Sequence, residues 1–234
     1  MAYILVRAAL LAALFLLLQQ ATLAAPPAFP LSAGTVWTYR GLVKWTAADS
    51  TVKAQTLTWT MTISRTISYR QYVLAVVKGH PLDLAWYDEA VKPGDYSIVY
   101  DGVSKYYLLS EENGAQVLAR VRAASGDLAD LLTPDDLFLA LPLKAGKDFA
   151  NDPSTPRTDH WYCWTVERAW TQPLTGITGL DPTPSHPSFR LAYRTNPDEQ
   201  VMDFVPGIGL TAFTYIHHGT VAEAHLLLVG FHAG

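Results

Sequence analysis

One cysteine, Cys163, stands in 234 residues, so no disulfide can form within the chain and its stability must come from burial and strand pairing. Charge is scarce too: 16% of the residues are charged against 50% hydrophobic. That balance leaves little material for a disordered tail and supplies ample material for a large core. Basic residues number 17 against 21 acidic ones, which is not the electrostatic footprint of a nucleic-acid binder. Also missing are a Gly-x-Ser-x-Gly elbow, a phosphate loop, a dinucleotide fingerprint and a His-Glu-x-x-His helix. No reaction class announced by those motifs can be assigned, and no cofactor or metal is expected.

The one long apolar run lies at the start. Arg7 precedes Ala8 to Leu18, and the small-residue stretch Ala21-Thr22-Leu23-Ala24-Ala25 leads into Pro26-Pro27. This is the three-part plan of a signal peptide over residues 1–24, with cleavage expected after Ala24. Met1 to Leu18 also approaches the ~20 residues of a membrane span, so an uncleaved anchor is the competing reading, and Arg7 in its middle opposes it. No cysteine follows the stretch, which excludes lipid attachment at a new N-terminal Cys. Loss of Arg7 would leave 16 basic against 21 acidic residues, a net charge of −5. Residues 25–234 fit one β domain.

Leu57-Thr-Trp59-Thr-Met61-Thr-Ile63-Ser alternates apolar and small polar residues without a break, the signature of a strand with one face on a core. Less perfect runs occur at 35–45, 71–77, 96–100, 105–109, 161–166, 189–193, 200–204, 210–216 and 222–231, separated by Gly, Pro, Asn or Asp. The gaps are too short for repeated crossover helices, so pairing is antiparallel. The expected fold is all-β, a half-barrel or β-sandwich of about ten to twelve strands with one short helix. That helix is read at Thr133 to about Ala140, with Pro134 in its first position and Asp135 and Asp136 in its first turn. Its Leu137, Phe138 and Leu141 would dock on the sheet, and Asp127 to Leu132 could add a turn before it. Gln172 to Pro187, with four prolines and two glycines, reads as an extended surface loop.

There is an internal echo. Phe29-Pro-Leu-Ser-Ala-Gly34-Thr-Val-Trp37 parallels Leu141-Pro-Leu-Lys-Ala-Gly146-Lys-Asp-Phe149. Either two related β units, 29–132 and 141–234, or one turn solution used twice would produce it. Phe29-Pro-Leu-x-x-Gly-x-x-Trp37-x-Tyr39 near the start, with Val205-Pro-Gly-Ile-Gly-Leu210 and Tyr215-x-His217-His218-Gly219 near the end, resembles a group of uncharacterised exported bacterial proteins built from antiparallel strands. The resemblance covers about a fifth of the chain and implies export and an all-β fold, but no reaction. The order of elements is also similar in outline to half-barrel lipoprotein carriers of the bacterial envelope, whose concave apolar face holds acyl chains. That likeness is architectural.

Four of the seven histidines, His217, His218, His225 and His232, crowd the last strands, and His80, His160 and His186 lie elsewhere. Adjacent His217 and His218 face opposite sides of a strand. A hairpin turn at Gly219-Thr220 sets His225 opposite Thr214 and Glu223 level with Ile216, so no three imidazoles converge on a metal. The acidic pairs Glu111-Glu112, Asp135-Asp136 and Asp198-Glu199 sit at turns or helix starts, where such residues are ordinary. Gly207-Ile-Gly209 is a turn between strands, and Cys163 reads as a small buried hydrophobe. His160-Trp161-Tyr162-Cys163-Trp164, apolar on both faces, reads as a central strand.

Aromatic residues carry the functional expectation. Trp37, Tyr39 and Trp45 share one face of the first strand, and Trp59 lies on the next. They are the candidate ligand-binding residues, for an apolar molecule or as a platform for sugar, with a closed core as the plainer alternative. The chain is therefore expected to be an exported, non-enzymatic binding protein of the envelope or extracellular space. Its partner would be an apolar small molecule or an envelope protein, with no nucleic acid, and membrane contact only through a retained signal segment. The alternatives are a hydrolase using His217 or His218 with a carboxylate from another strand, and a purely structural envelope protein.

Overall fold

The computed structural model describes residues 28–151 and 157–234, so the expected signal segment and its cleavage point lie outside the described residues. The alternating segments form twelve strands: β1 (Val36–Thr46), β2 (Val52–Tyr69), β3 (Tyr72–Lys78), β4 (Asp95–Tyr100), β5 (Lys105–Leu109), β6 (Leu137–Ala140), β7 (Asp148–Phe149), β8 (Trp164–Pro173), β9 (Ser185–Arg194), β10 (Asp198–Val205), β11 (Gly209–His217) and β12 (Ala222–His232). They make one antiparallel sheet in the order β6-β5-β4-β3-β2-β1-β12-β11-β10-β9-β8-β7. Every strand but the first and last pairs only with its sequence neighbours. The one distant pairing joins β1 to β12, from Val36 opposite His232 to Trp45 opposite Ala222.

The expected all-β antiparallel fold is present, and the single sheet curls into a nearly closed barrel instead of splitting into a sandwich. Register shifts at Thr38/Tyr39, Ile63/Arg65, Val166/Arg168 and Asp203/Phe204 each add a residue to one strand. Bulges of this kind sharpen local twist and bend, which is what closure demands. Inward-facing side chains fill the interior: Trp37, Tyr39, Met61, Ile63, Phe204 and Phe213 are all fully buried.

A second, smaller core lies outside the barrel. Helix α1 (Glu111–Arg122) packs Val117 against Tyr72, Leu74, Val99 and Leu109, the outward residues of β3, β4 and β5. These strands are thus covered on both faces, which explains why Val73-Leu-Ala-Val-Val77 shows no alternation. Gly114 lets the helix approach closely, since a Cβ there would lie 2.6 Å from Ser97 Oγ. Ser110 caps the helix by accepting the Asn113 N–H at 3.3 Å, Glu111 and Glu112 occupy its first turn and Arg120 and Arg122 its last, matching the helix dipole. Replacing Ser110 with alanine is expected to cost about 1 kcal/mol in denaturant unfolding.

Three sequence expectations differ from the fold. The helix read at 133–140 is a 3-10 turn over Pro134–Asp136 followed by β6, whose four residues are all buried. Thr133 and Asp136 do form the expected cap, but Leu137 to Ala140 gain more by pairing with β5 than by continuing a helix. The preceding turn is likewise 3-10, at Ala129–Leu131. In the second case, His160 to Cys163 are not strand. His160 and Tyr162 take φ of 63° and 57°, a left-handed backbone that cannot continue a ladder, and β8 starts only at Trp164. Cys163 itself is buried, as expected. The long loop is shorter than 172–187: β8 runs to Pro173, β9 starts at Ser185, and Thr178 between them bridges to Gly230 of β12.

The echoed segments make matching bonds. Gly34 N–H donates to Ile63 O at 2.8 Å, Ile63 N–H to Thr35 O at 2.9 Å and Thr35 N–H to Ser32 O at 3.2 Å. Correspondingly, Gly146 N–H donates to Val166 O at 2.8 Å, Val166 N–H to Lys147 O at 2.9 Å and Lys147 N–H to Lys144 O at 3.0 Å. Gly34 and Gly146 take φ of 89° and 82°, and each turn ends beside a bulge of the neighbouring strand, at Ile63/Arg65 and at Val166/Arg168.

Candidate functional site

The four candidate rings meet on one inner wall of the barrel. Tyr39 lies directly opposite Trp59 in the β1–β2 register, and Trp37, Tyr39, Trp45 and Trp59 are all buried. The polar atoms of three of them are satisfied by the chain itself. Trp37 Nε1 donates to Ile208 O at 2.6 Å, the Tyr39 hydroxyl to Leu210 O at 3.1 Å and Trp59 Nε1 to Gly79 O at 2.9 Å. Trp45 packs edge-on against Tyr87, ring centres 4.9 Å apart. Burial drives the Tyr39 hydroxyl far above its ordinary pKa, so it stays a neutral donor.

Open space lies instead at the seam where β6 and β7 approach. A cleft of about 500 Å³ is lined by Tyr107, Leu137, Leu141 and Phe149, with Lys105 and Lys147 among them. That volume falls within the roughly 300–1,000 Å³ usual for small-molecule pockets. Lys147, one position before β7, reaches across: its Nζ donates to Ala140 O at 2.8 Å and Pro142 O at 3.0 Å. Two of three ammonium protons are thereby used, and burial pulls the group below its ordinary pKa. The seam is therefore apolar, with a cation whose remaining donor has no partner among the described residues.

A polar group of a different kind stands at the end of the barrel formed by the β3–β4 loop, the β9–β10 turn and the β11–β12 turn. The loop enters the barrel with Leu84 and Ala85, both buried, and leaves Trp86 56% exposed. The Trp86 ring centre lies 4.4 Å from that of His217 and 6.3 Å from that of Tyr215. Alternation puts Tyr215 and His217 on one face of β11, and the β10–β11 register sets Asp198 opposite His217. Asp198 Oδ1 accepts from the Tyr215 hydroxyl at 2.6 Å and faces His217 Nδ1 at 2.8 Å. Burial pushes this carboxyl up, but the hydrogen bonds from Tyr215 and His217 and the nearby imidazoles outweigh it and hold it below the usual carboxylate range. The same burial, with the bond to Asp198, drives the Tyr215 hydroxyl well up. An ionised Asp198 places a proton of His217 on Nδ1. Glycine at residue 219 leaves room beside Nε2, since a Cβ there would lie 2.9 Å from it.

The other histidines do not join this group. His225 lies opposite Thr214 and Ile216 opposite Glu223, the register expected from the turn. His225 approaches Glu223 at 3.5 Å, His218 approaches Glu199 at 3.9 Å and His160 pairs with Asp148 at 2.9 Å. Among the described residues no three metal-ligating side chains converge. The Cys163 thiol is pushed up, chiefly by burial and then by the charge of Asp148, which makes it a poor nucleophile. Glu111-Glu112 and Asp135-Asp136 occupy the first turns of α1 and of the 3-10 turn.

Sequence reasoning found His217 and the acidic pair Asp198-Glu199 but did not join them, and it missed Trp86, Lys147 and Tyr215. Counting back from the Pro206-Gly207 turn would have placed Asp198 near His217. Trp86 carried no signal, lying in a loop of mixed residues between two strands.

No protein-family model matches the chain, and no curated protein matches it in sequence. Two solved structures are similar in their course. One is a protein from Bacteroides fragilis described as exported and of YmcC-like fold, 12% identical, over 88% of this chain and 99% of its own, with a TM-score of 0.42. The other, described as a lipoprotein, is from Parabacteroides distasonis, 10% identical, over 89% of this chain and 99% of its own, with a TM-score of 0.41. Neither likeness carries a residue role to this chain.

Proposed function

We propose that this is an exported binding protein that holds a small amphipathic anion in the seam between β6 and β7. Support for export comes from the three-part signal pattern of residues 1–24. The observation that carries the ligand is the cleft of about 500 Å³ with apolar walls and Lys147 at its edge. The barrel interior is filled by its own rings, so the apolar surface available to a ligand is that of Tyr107, Leu137, Leu141 and Phe149. An acyl chain against these, with its carboxylate or phosphate on the third proton of Lys147, satisfies both halves of the site. Charge-assisted bonds of this type contribute roughly 1.5–3 kcal/mol.

Saturation binding of palmitate, and of lysophosphatidate as its phosphate-headed counterpart, tests the reading on the mature protein. Lys147→Met, which keeps the stem and removes the charge, is expected to weaken binding tenfold or more. Which headgroup is preferred identifies the anion. Saturable binding by neither, together with no small molecule released on denaturing protein purified from an exporting host, would overturn the proposal.

A further inference from the structure

Three exposed aromatic rings lie among the described residues that are otherwise large, apolar and exposed: Trp86 at 56%, Trp161 at 39% and Tyr162 at 44%. All three gather at the barrel end that carries Asp198 and His217. Trp86 stands over His217, which pairs with Asp198. Two residues before Asp198, the Asn196 N–H donates to the Tyr162 hydroxyl at 3.4 Å, and the Tyr162 N–H donates to Arg194 O at 2.7 Å. Trp161 follows, its ring centre 6.5 Å from that of Tyr162. A rim thus runs from Trp86, past the Asp198–His217 pair, to Trp161.

The polar groups near the rings are already fixed, on both faces of the sheet edge. Arg194, on the outer face, bonds Glu199 at 2.8 Å and Glu167 at 2.6 Å, and on the inner face Asp198 holds Tyr215 and His217. One ring on one side and the Trp161–Tyr162 pair on the other, with hydrogen-bonded polar groups around them, differ from the contiguous apolar patch of a protein interface core. Three carboxylates, Glu167, Asp198 and Glu199, oppose a phosphate backbone. An uncharged, hydroxyl-rich chain matches the rim on both counts. Its C–H faces can lie on indole rings, and its hydroxyls can donate to carboxylate and imidazole and accept from guanidinium.

We propose that this rim, with Trp86 and Trp161 as platforms and the Asp198–His217 pair between them, binds a neutral oligosaccharide. The carboxylates of the site are already engaged, Asp198 by Tyr215 and His217 and Glu167 and Glu199 by Arg194, so the sugar is held and not cleaved. The site is separate from the β6–β7 seam and does not depend on it.

The test is titration calorimetry of the mature protein with neutral hexaoses of the cello, malto, chito and β-1,3-gluco series. At least one is expected to bind, and Trp86→Ala and Trp161→Ala are each expected to weaken it tenfold or more. Both rings are exposed, so their removal opens no core cavity, and an unchanged unfolding midpoint confirms intact variants. Lys147→Met should leave sugar binding unchanged, and so should Leu227→Ala at an exposed apolar residue of β12. Binding by none of the four series, or binding that survives loss of both tryptophans, would overturn the proposal. Capture of a protein in place of any sugar would do the same.

Discussion

Replacing His80 with asparagine is expected to remove about 2.5 kcal/mol of the stability the protein loses between about pH 6 and pH 4. His80 is buried at the start of the β3–β4 loop, where its Nδ1 accepts the Leu82 N–H at 3.2 Å. Its Nε2 has no partner among the described residues. Burial lowers its pKa from 6.5 to about 3, because the charged form would have to shed its water with no anion to replace it. The sign follows from linkage. Above pH 6.5 folded and unfolded chains are both neutral at this position and the full stability is present. As pH falls the unfolded chain takes a proton that the folded one refuses, so stability is lost until about pH 3. Over the two units from pH 6 to pH 4 this amounts to about 2.5 kcal/mol.

Asparagine keeps an acceptor near the position of Nδ1 and cannot titrate. The variant is expected to lose about 1–2 kcal/mol at neutral pH through the smaller side chain, while its stability falls less steeply with acid, the part due to the carboxylates held below their ordinary pKa remaining. Asp83, four residues before the loop's Tyr87, acts in the opposite direction: burial raises its pKa, so protonation favours the folded state as pH falls. Subtracting the two urea-unfolding profiles leaves the His80 contribution, since Asp83 is common to both. Parallel profiles for the two proteins would show that His80 is solvated or paired. The same titration bears on the rim, because His80 anchors the loop that presents Trp86. Acid should loosen that platform before the barrel unfolds.

The strands were legible because alternation is a local signal and each strand's partner is its sequence neighbour. Leu57 to Ser64 lies inside β2, and the β11–β12 register followed from one turn. What failed depended on distant partners. Thr133-Pro134-Asp135-Asp136 opens a 3-10 turn and a helix with the same residues, and the choice is made by β5, about 30 positions earlier. The true helix was hidden by Asn113-Gly114, a turn signal by composition, which serves here as the close contact between α1 and Ser97. His160 to Trp164 has the composition of a buried strand, yet its left-handed residues send Trp161 and Tyr162 outward. The same division holds for function. The rings that stood out in the sequence, Trp37, Tyr39, Trp45 and Trp59, became the barrel's filling, whereas Trp86, Lys147 and Trp161 gained their settings from strands remote in the chain.

The pairing of β1 with β12 gives the second large effect. Gly41 faces Leu226 across that pair and Leu57 across the other. A Cβ at residue 41 would lie 1.8 Å from His225 O and 2.8 Å from Leu226 Cα, distances at which one backbone must move. Neither can shift freely, because β1 is held on its far side by β2 and β12 by β11. Gly41→Ala is therefore expected to cost about 3 kcal/mol or more, far beyond the usual effect of adding one methyl group. Gly146→Ala supplies the comparison. Its φ is 82° but nothing lies within 4 Å of the added Cβ, so it carries only the left-handed backbone cost of about 1–2 kcal/mol. Denaturant midpoints of the two variants separate steric exclusion from backbone preference. Hydrogen exchange should then show amides of β1 and β12 losing protection first in Gly41→Ala. Equal midpoints would mean that the two strands can part at residue 41 without loosening the barrel. The larger cost expected for Gly41 places the barrel's weak point where the chain's two ends meet, since that ladder must close over most of the sequence while every other one closes over a single turn or connection.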